Sequence, residues 1–192
     1  MQHPGSETQG LPEEITQLLR RWQGGDDDAK ALVIEAVYDQ VRAIARRVIR
    51  SDPGATITAT ELAHEALIRL LGAEPSWQDR THLYHVLAQA TRQVLVDAAR
   101  RRQCDKRGGD VAPESLSAAA NVGSNEDQAL IRINEAIEQL SRRDARSARI
   151  IELTYFAGLE RGEIASVLQL SVPTIDRDLR LGRAWLKRAL EA

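Results

Sequence analysis

The chain has 192 residues, 43% of them apolar and 28% charged, with 26 Lys and Arg against 28 Asp and Glu for a formal net charge of -2. This composition excludes wholesale disorder, because a disordered chain carries far fewer Leu, Ile and Val, and the near balance of charge excludes a uniformly basic nucleic-acid binder. Cys104 is the one cysteine, so an internal disulfide and a cysteine-rich zinc site are both excluded, and a reducing cytoplasm is the expected compartment. No stretch approaches the roughly 20 apolar residues of a membrane helix, and the N-terminal MQHPGSETQG lacks a basic segment followed by an apolar run. Neither membrane insertion nor secretion is expected.

Prolines at 12, 53, 75, 113 and 173 and the pairs Gly24-Gly25 and Gly108-Gly109 divide the chain into segments with a helical period. An all-α fold is expected, with helices near 13–23, 27–50, 60–71, 79–103, 127–140, 144–157, 160–168 and 172–190. Asp26-Asp27-Asp28 reads as a cap and charged start for the second helix. In the third, Thr58 and Glu61 have the spacing of a capping box. Residues 108–126 are rich in Gly, Ser, Ala and Asn and read as a flexible linker. The expected organisation is a flexible N-terminus over 1–12, a helical domain over 13–107, the linker, and a second helical domain over 127–192.

The fourth segment carries Leu83, Leu87, Ala90, Val94 and Ala98 at helical spacing, which predicts its buried stripe and turns His85, Gln89, Arg92 and Gln93 outward. It ends in AARRRQCDKRGG, where Arg100, Arg101, Arg102, Lys106 and Arg107 face only Asp105 in the local sequence. Cations at a helix C-terminus suit the macrodipole, yet five of them exceed that need. A cluster of this density attracts phosphates and releases counterions on binding.

The C-terminal run GLERGEIASVLQLSVPTIDRDLRLGRAWLKRAL reads as a helix-turn-helix. Ile164, Ala165 and Leu168 point inward on the first helix, Gln169 and Leu170 make the connection, and Ser171 caps the second helix with Pro173 in its first turn. Ile175, Leu179, Trp185 and Leu186 are expected inward, and Thr174, Arg177, Arg180 and Arg183 form a candidate face for a major groove.

Both halves, in this order, resemble a bacterial sigma factor of the extracytoplasmic-function (ECF) group, the small form with regions 2 and 4, over about residues 13 to 192. ELAHEALIRLL resembles the region 2 helix that docks on the clamp of RNA polymerase, WQDRTHLYHVLAQATRQVLVDAARRRQCDKRGG the promoter-melting helix after it, and the C-terminal run from Ile150 region 4, which binds the minus-35 element and contacts the polymerase flap. HEALIRL, DAARRR with KRGG, and RAWL point to the ECF-like sigma helix-turn-helix subfamily. The resemblance implies that Glu61, Leu62, Glu65, Ile68 and Arg69 contact core RNA polymerase. It also implies that Trp77, Arg80, His82, Gln89, Arg92, Arg100, Arg101 and Arg102 contact minus-10 DNA, and that Ser171, Thr174, Arg177, Arg180 and Arg183 contact minus-35 DNA. Leu62 and Ile68 read equally well as core, Trp77 as a plug at a helix junction, and Asp97 as a holder of nearby arginines.

Two departures from the family pattern stand out. Related chains often begin the docking helix with several acidic residues, where this one reads Thr58-Ala59-Thr60-Glu61. Phosphorylation of Thr60, or of Thr58, by a Ser/Thr kinase would supply the missing charge. The second departure is Asp176 and Asp178 among the recognition arginines, with Asp176 either accepting from a base or holding Arg180. The expected partners are core RNA polymerase and promoter DNA, with a kinase or an anti-sigma factor as regulator, in a bacterial cytoplasm. No cofactor, metal or catalytic residue is expected: His64, His82 and His85 lack metal-site spacing, and no nucleophile with an oriented base is visible. A self-sufficient helix-turn-helix repressor is the alternative reading, and it leaves the N-terminal basic helix unexplained.

Overall fold

Helix α1, Ile15–Gln23, ends where Gly25 takes a positive φ of 88°, and the Asp26 carboxylate then accepts from the Ala29 N–H at 3.0 Å to start α2, Asp27–Ile49. The computed structural model describes residues 15–49, 58–72, 79–108 and 117–191, with the side chains of 47–49 and 105–126 outside the description. The remaining helices are α3 Ala59–Gly72, α4 Arg80–Gly108, α5 Ser117–Arg143, α6 Ala145–Tyr155, α7 Arg161–Leu168 and α8 Val172–Glu191. The fold is all-α, with no strand among the described residues.

The capping box at the head of α3 forms as its spacing predicts: the Thr58 N–H donates to Glu61 at 2.7 Å, and the Thr58 hydroxyl accepts from the Glu61 N–H at 3.2 Å. Asp79 caps α4 by accepting from the His82 N–H at 2.8 Å. Asp144 caps α6 through both the N–H and the hydroxyl of Ser147, contacts that hold its carboxyl below the usual aspartate range. Each cap satisfies amides that the first turn of a helix leaves without partners.

Helices α2 and α3 pack together, with α1 on α2 and α4 against α3. The stripe of α4 is buried as expected at Leu83, Leu87, Ala90, Val94 and Ala98. In the C-terminal half α6 packs between α5 and α8, with Ile150, Ile151 and Leu153 fully buried. Gly182 on α8 permits this approach, since a Cβ there would lie 2.8 Å from Ile151 Cγ1.

The linker reading is corrected in two respects. Helix α5 begins at Ser117, so 117–126 are helical backbone, because an Ala-rich stretch next to a strongly amphipathic helix extends it at little cost. Further, α4 lies directly against α5 and α6, and one buried apolar cluster runs from Ile15 and Leu19 through Leu87 and Leu95 to Ile137, Ile151 and Leu179. A C-terminal half this small gains apolar burial from its neighbour that it cannot supply alone.

Candidate DNA and polymerase interfaces

The helix-turn-helix lies at α7 and α8. Helix α7 opens with the Glu160 N–H donating to Glu163 at 2.7 Å, and it ends at Gln169, whose left-handed φ of 54° turns the chain within two residues toward Ser171. The Ser171 hydroxyl accepts weakly from the Thr174 N–H at 3.4 Å, while its carbonyl accepts from Thr174 and Ile175 N–H at 2.9 and 3.1 Å. Ile164, Ile175 and Leu179 are buried between the two helices as expected, and Trp185 and Leu186 are partly buried. The Trp185 ring lies under Arg143, 4.8 Å from guanidinium to centroid.

The three candidate arginines of α8 fan out instead of stacking. A step of three residues falls about 60° short of a full turn, so the third arginine has rotated well away from the first. Arg177 and Arg180 stay exposed, the former with Nε donating to Asp178 at 3.1 Å and the latter to the Asp176 carbonyl at 3.3 Å. Arg183, also exposed, donates to the Tyr155 hydroxyl at 2.8 Å and sits over its ring, at the rim of an apolar cavity of about 310 Å³ between α4, α5, α6 and α8. The Asp176 carboxylate pairs with Arg161 at 2.9 Å, and Asp178, almost fully buried, pairs with Arg146 at 2.6 Å. Both aspartates therefore have structural partners.

On α3 the candidate polymerase surface is mixed. Leu62 has no exposed surface and belongs to the core, whereas Ile68 is 70% exposed. Around Ile68, Arg69 pairs with Glu65 at 2.8 Å and with Asp97 of α4 at 2.9 Å, and Arg101 reaches Glu65 at 3.2 Å. Asp97 holds an arginine, as expected. Glu61 is committed to the cap, whose bonds lower its pKa. Thr58 is exposed and Thr60 is partly buried beside it.

The outward face of α4 is where sequence and structure part most. Gln89 and Gln93 are exposed and His85 is half-buried, but Arg92 turns onto the C-terminal helices. Its guanidinium donates to Asn134 of α5 and pairs with Glu152 of α6 at 3.1 Å. Arg102 pairs with Asp127 of α5, its Nε donating at 2.8 Å, and Arg80 donates to the Ser166 hydroxyl of α7 at 3.1 Å. Among the described arginines of the C-terminal basic cluster, Arg100 keeps its expected exposure, whereas Arg101 and Arg102 have found carboxylates far along the chain. His82 gives its backbone N–H to the α4 cap. Trp77 lies outside the described residues. Asn134 and Glu152 are the partners that sequence reasoning missed: an acidic residue at an inward position of α6 was the available signal.

A helix-turn-helix with exposed arginines, joined to a second helical set with a basic helix, defines a helical DNA-binding protein. The ECF sigma factor family model matches residues 12–192, almost the whole chain, and the chain belongs to this family. It is accordingly an alternative sigma factor that directs transcription initiation. Neither the curated proteins nor the solved structures contain a match. No helix among the described residues is long and apolar enough to cross a membrane.

Proposed function

We propose that this sigma factor docks on the core RNA polymerase clamp through α3, centred on Ile68, reads a minus-35 element through Thr174, Arg177 and Arg180 of α8, and engages minus-10 DNA with α4 and the segment that holds Trp77. The observation that carries the reading is the α7–α8 motif with its left-handed Gln169 turn and the exposed Arg177 and Arg180, in a chain whose family match covers residues 12–192. Exposed cations at this density supply the counterion-releasing part of DNA affinity, and an exposed isoleucine amid paired charges has the makeup of a protein-interface anchor.

Phosphorylation of Thr60, or of Thr58, regulates the docking step in this reading. A phosphate at the head of α3 adds about two negative charges where the macrodipole favours them. Glu61, tied into the cap, is the one carboxylate in the first turn of α3. A Ser/Thr kinase acts at this site in this reading, with an anti-sigma factor as the alternative regulator of the chain.

The test is native co-purification with bacterial core RNA polymerase, comparing the unmodified chain with Thr60→Glu and Thr60→Ala, followed by promoter-dependent transcription. Capture of Thr60→Glu above the other two supports the phosphorylation step; equal capture of all three retains the sigma role and removes the switch. Capture of none returns the chain to the repressor reading.

A further inference from the structure

We propose that the cavity between α4, α5, α6 and α8 is a binding site for a small amphipathic acid, a monocarboxylate whose apolar chain fills the cavity and whose carboxylate meets Arg183 and Tyr155 at its rim. Arg183 is not among the residues proposed to read the minus-35 element, so the site does not depend on that reading.

The walls of the cavity are chemically one-sided. Leu95 of α4, Ile137 of α5, and Ile151 and Phe156 of α6 are buried in them, and Ile133 of α5 and Leu186 of α8 are partly buried. Among the described residues that line the cavity, Arg183 and Tyr155 alone carry a polar side chain. A volume of about 310 Å³ is the share of about ten waters in the liquid, yet an ordered water needs at least about two polar partners, and these walls offer such groups at the rim alone. Packed interiors leave few voids larger than one water, which sets this space apart from a packing defect. Small-molecule pockets have this makeup: apolar walls, a few placed polar groups and a volume of roughly 300 to 1,000 Å³. At the lower end of that range, the cavity suits a single chain of about eight carbons and is too small for a lipid with two long chains.

The rim selects the head group. Arg183 Nε donates to the Tyr155 hydroxyl at 2.8 Å, with the guanidinium carbon 5.7 Å from the ring centroid. The carboxylates of α8, Asp176, Asp178 and Glu191, pair with other cations, so that among the described residues Arg183 has no carboxylate of its own. Its two Nη groups can hold a ligand carboxylate in the forked, bidentate geometry that arginine favours. The Tyr155 hydroxyl accepts from Nε and keeps its own proton to donate to the same carboxylate. An ammonium head group would instead stand beside a like charge.

The experiment titrates the full chain, labelled at its Ile and Leu methyls, with octanoate, 1-octanol and octyltrimethylammonium below their micellar concentrations, and follows the methyl NMR shifts. Octanoate is expected to shift Ile133, Ile137 and Ile151 saturably, with an affinity about tenfold above that of 1-octanol, about 1.4 kcal/mol, and further above that of the ammonium. Because this comparison is made on the parent chain, it stands even where a variant fails to fold. Arg183→Gln is expected to bring octanoate down to the affinity of 1-octanol and leave 1-octanol unchanged. Ile133→Trp, which fills the cavity, is expected to abolish both, with the methyls of Leu62 in the N-terminal core reporting that the fold is kept. Equal affinity of the parent for octanoate and 1-octanol assigns the cavity to an uncharged apolar group, such as a side chain of a protein partner, and overturns the acid. Absence of saturable shifts at the cavity methyls, or octanoate binding that survives both variants at parental strength, overturns the site.

Discussion

Arg92 of α4 and Glu152 of α6 lie 3.1 Å apart across the junction of the two helical sets, with 13% and 9% of their side-chain surfaces exposed. Burial raises the Glu152 pKa above the usual glutamate range, although Arg92 and Arg149 pull it down. Arg92 is further held by Asn134, with Glu138 at 3.8 Å.

Breaking such a pair from one side leaves the other charge stranded away from water. Arg92→Ala is expected to destabilise the chain by about 3 kcal/mol, whereas Arg92→Met with Glu152→Leu recovers most of that loss, because the desolvation of both ions disappears with the pair. Urea denaturation of the two variants beside the parent checks this; equal losses in the single and double variants contradict it.

Acidification acts on the same junction through His85. Its pKa is lowered from 6.5, first by burial and then by Arg149 on α6 and by His82 and Arg92 on its own helix, while Gln89 lies at 3.2 Å from its Nε2. A histidine with a depressed folded pKa gives stability that is present above the unfolded value and lost as pH falls through the folded one. Glu152, with a raised pKa, has the opposite sign from 4.5 upward. The difference in melting temperature between the parent and His85→Gln isolates the histidine: it is expected to move against the parent as pH drops below 6.5, and a constant difference contradicts the assignment.

The close crossing of α8 on α6 depends on Gly182. An alanine Cβ there meets Ile151 Cγ1 at 2.8 Å and Cδ1 at 3.2 Å, and Ile151 is fully buried. Overpacking of this kind costs about 1 to 3 kcal/mol, more than the helix propensity that alanine adds, about 1 kcal/mol at most. Gly182→Ala is therefore expected to lower the melting temperature. Gly162→Ala, with nothing within 4 Å, serves as the control that does not.

On α8 the arginines divide by their partners. Arg180→Ala is expected to weaken duplex binding and reduce the slope of log affinity against log salt by about 0.9, the value for one phosphate contact. Arg183→Ala, which loses the Tyr155 contact, is expected to change the slope little and stability more. Duplex titrations across salt concentrations, with melting curves, separate the two; equal slopes for both variants contradict the division.

Much of the fold was legible because its signals act within a turn or two. Thr58 with Glu61 and Asp26 with Ala29 bond across three residues, and the α4 stripe follows from a repeat of three to four. Helix-turn-helix spacing is equally local, and so the motif stands where Gln169 and Ser171 put it. The start of α5 was missed because the Ser, Asn and Gly scattered among its alanines carry weak propensities that the alanines and an adjoining amphipathic helix override.

The amino-acid sequence by itself determined the helices, their caps, the buried stripes and the family. Only the tertiary structure decided which cations are free. Arg92 with Glu152, Arg102 with Asp127 and Arg80 with Ser166 join positions far apart in the chain. Such partners are set by how α4 seats on α5, α6 and α7, where burial makes a pair far stronger than the same charges in water. Charge density in a local sequence reports what is available to DNA; the packing of helices selects what is already taken.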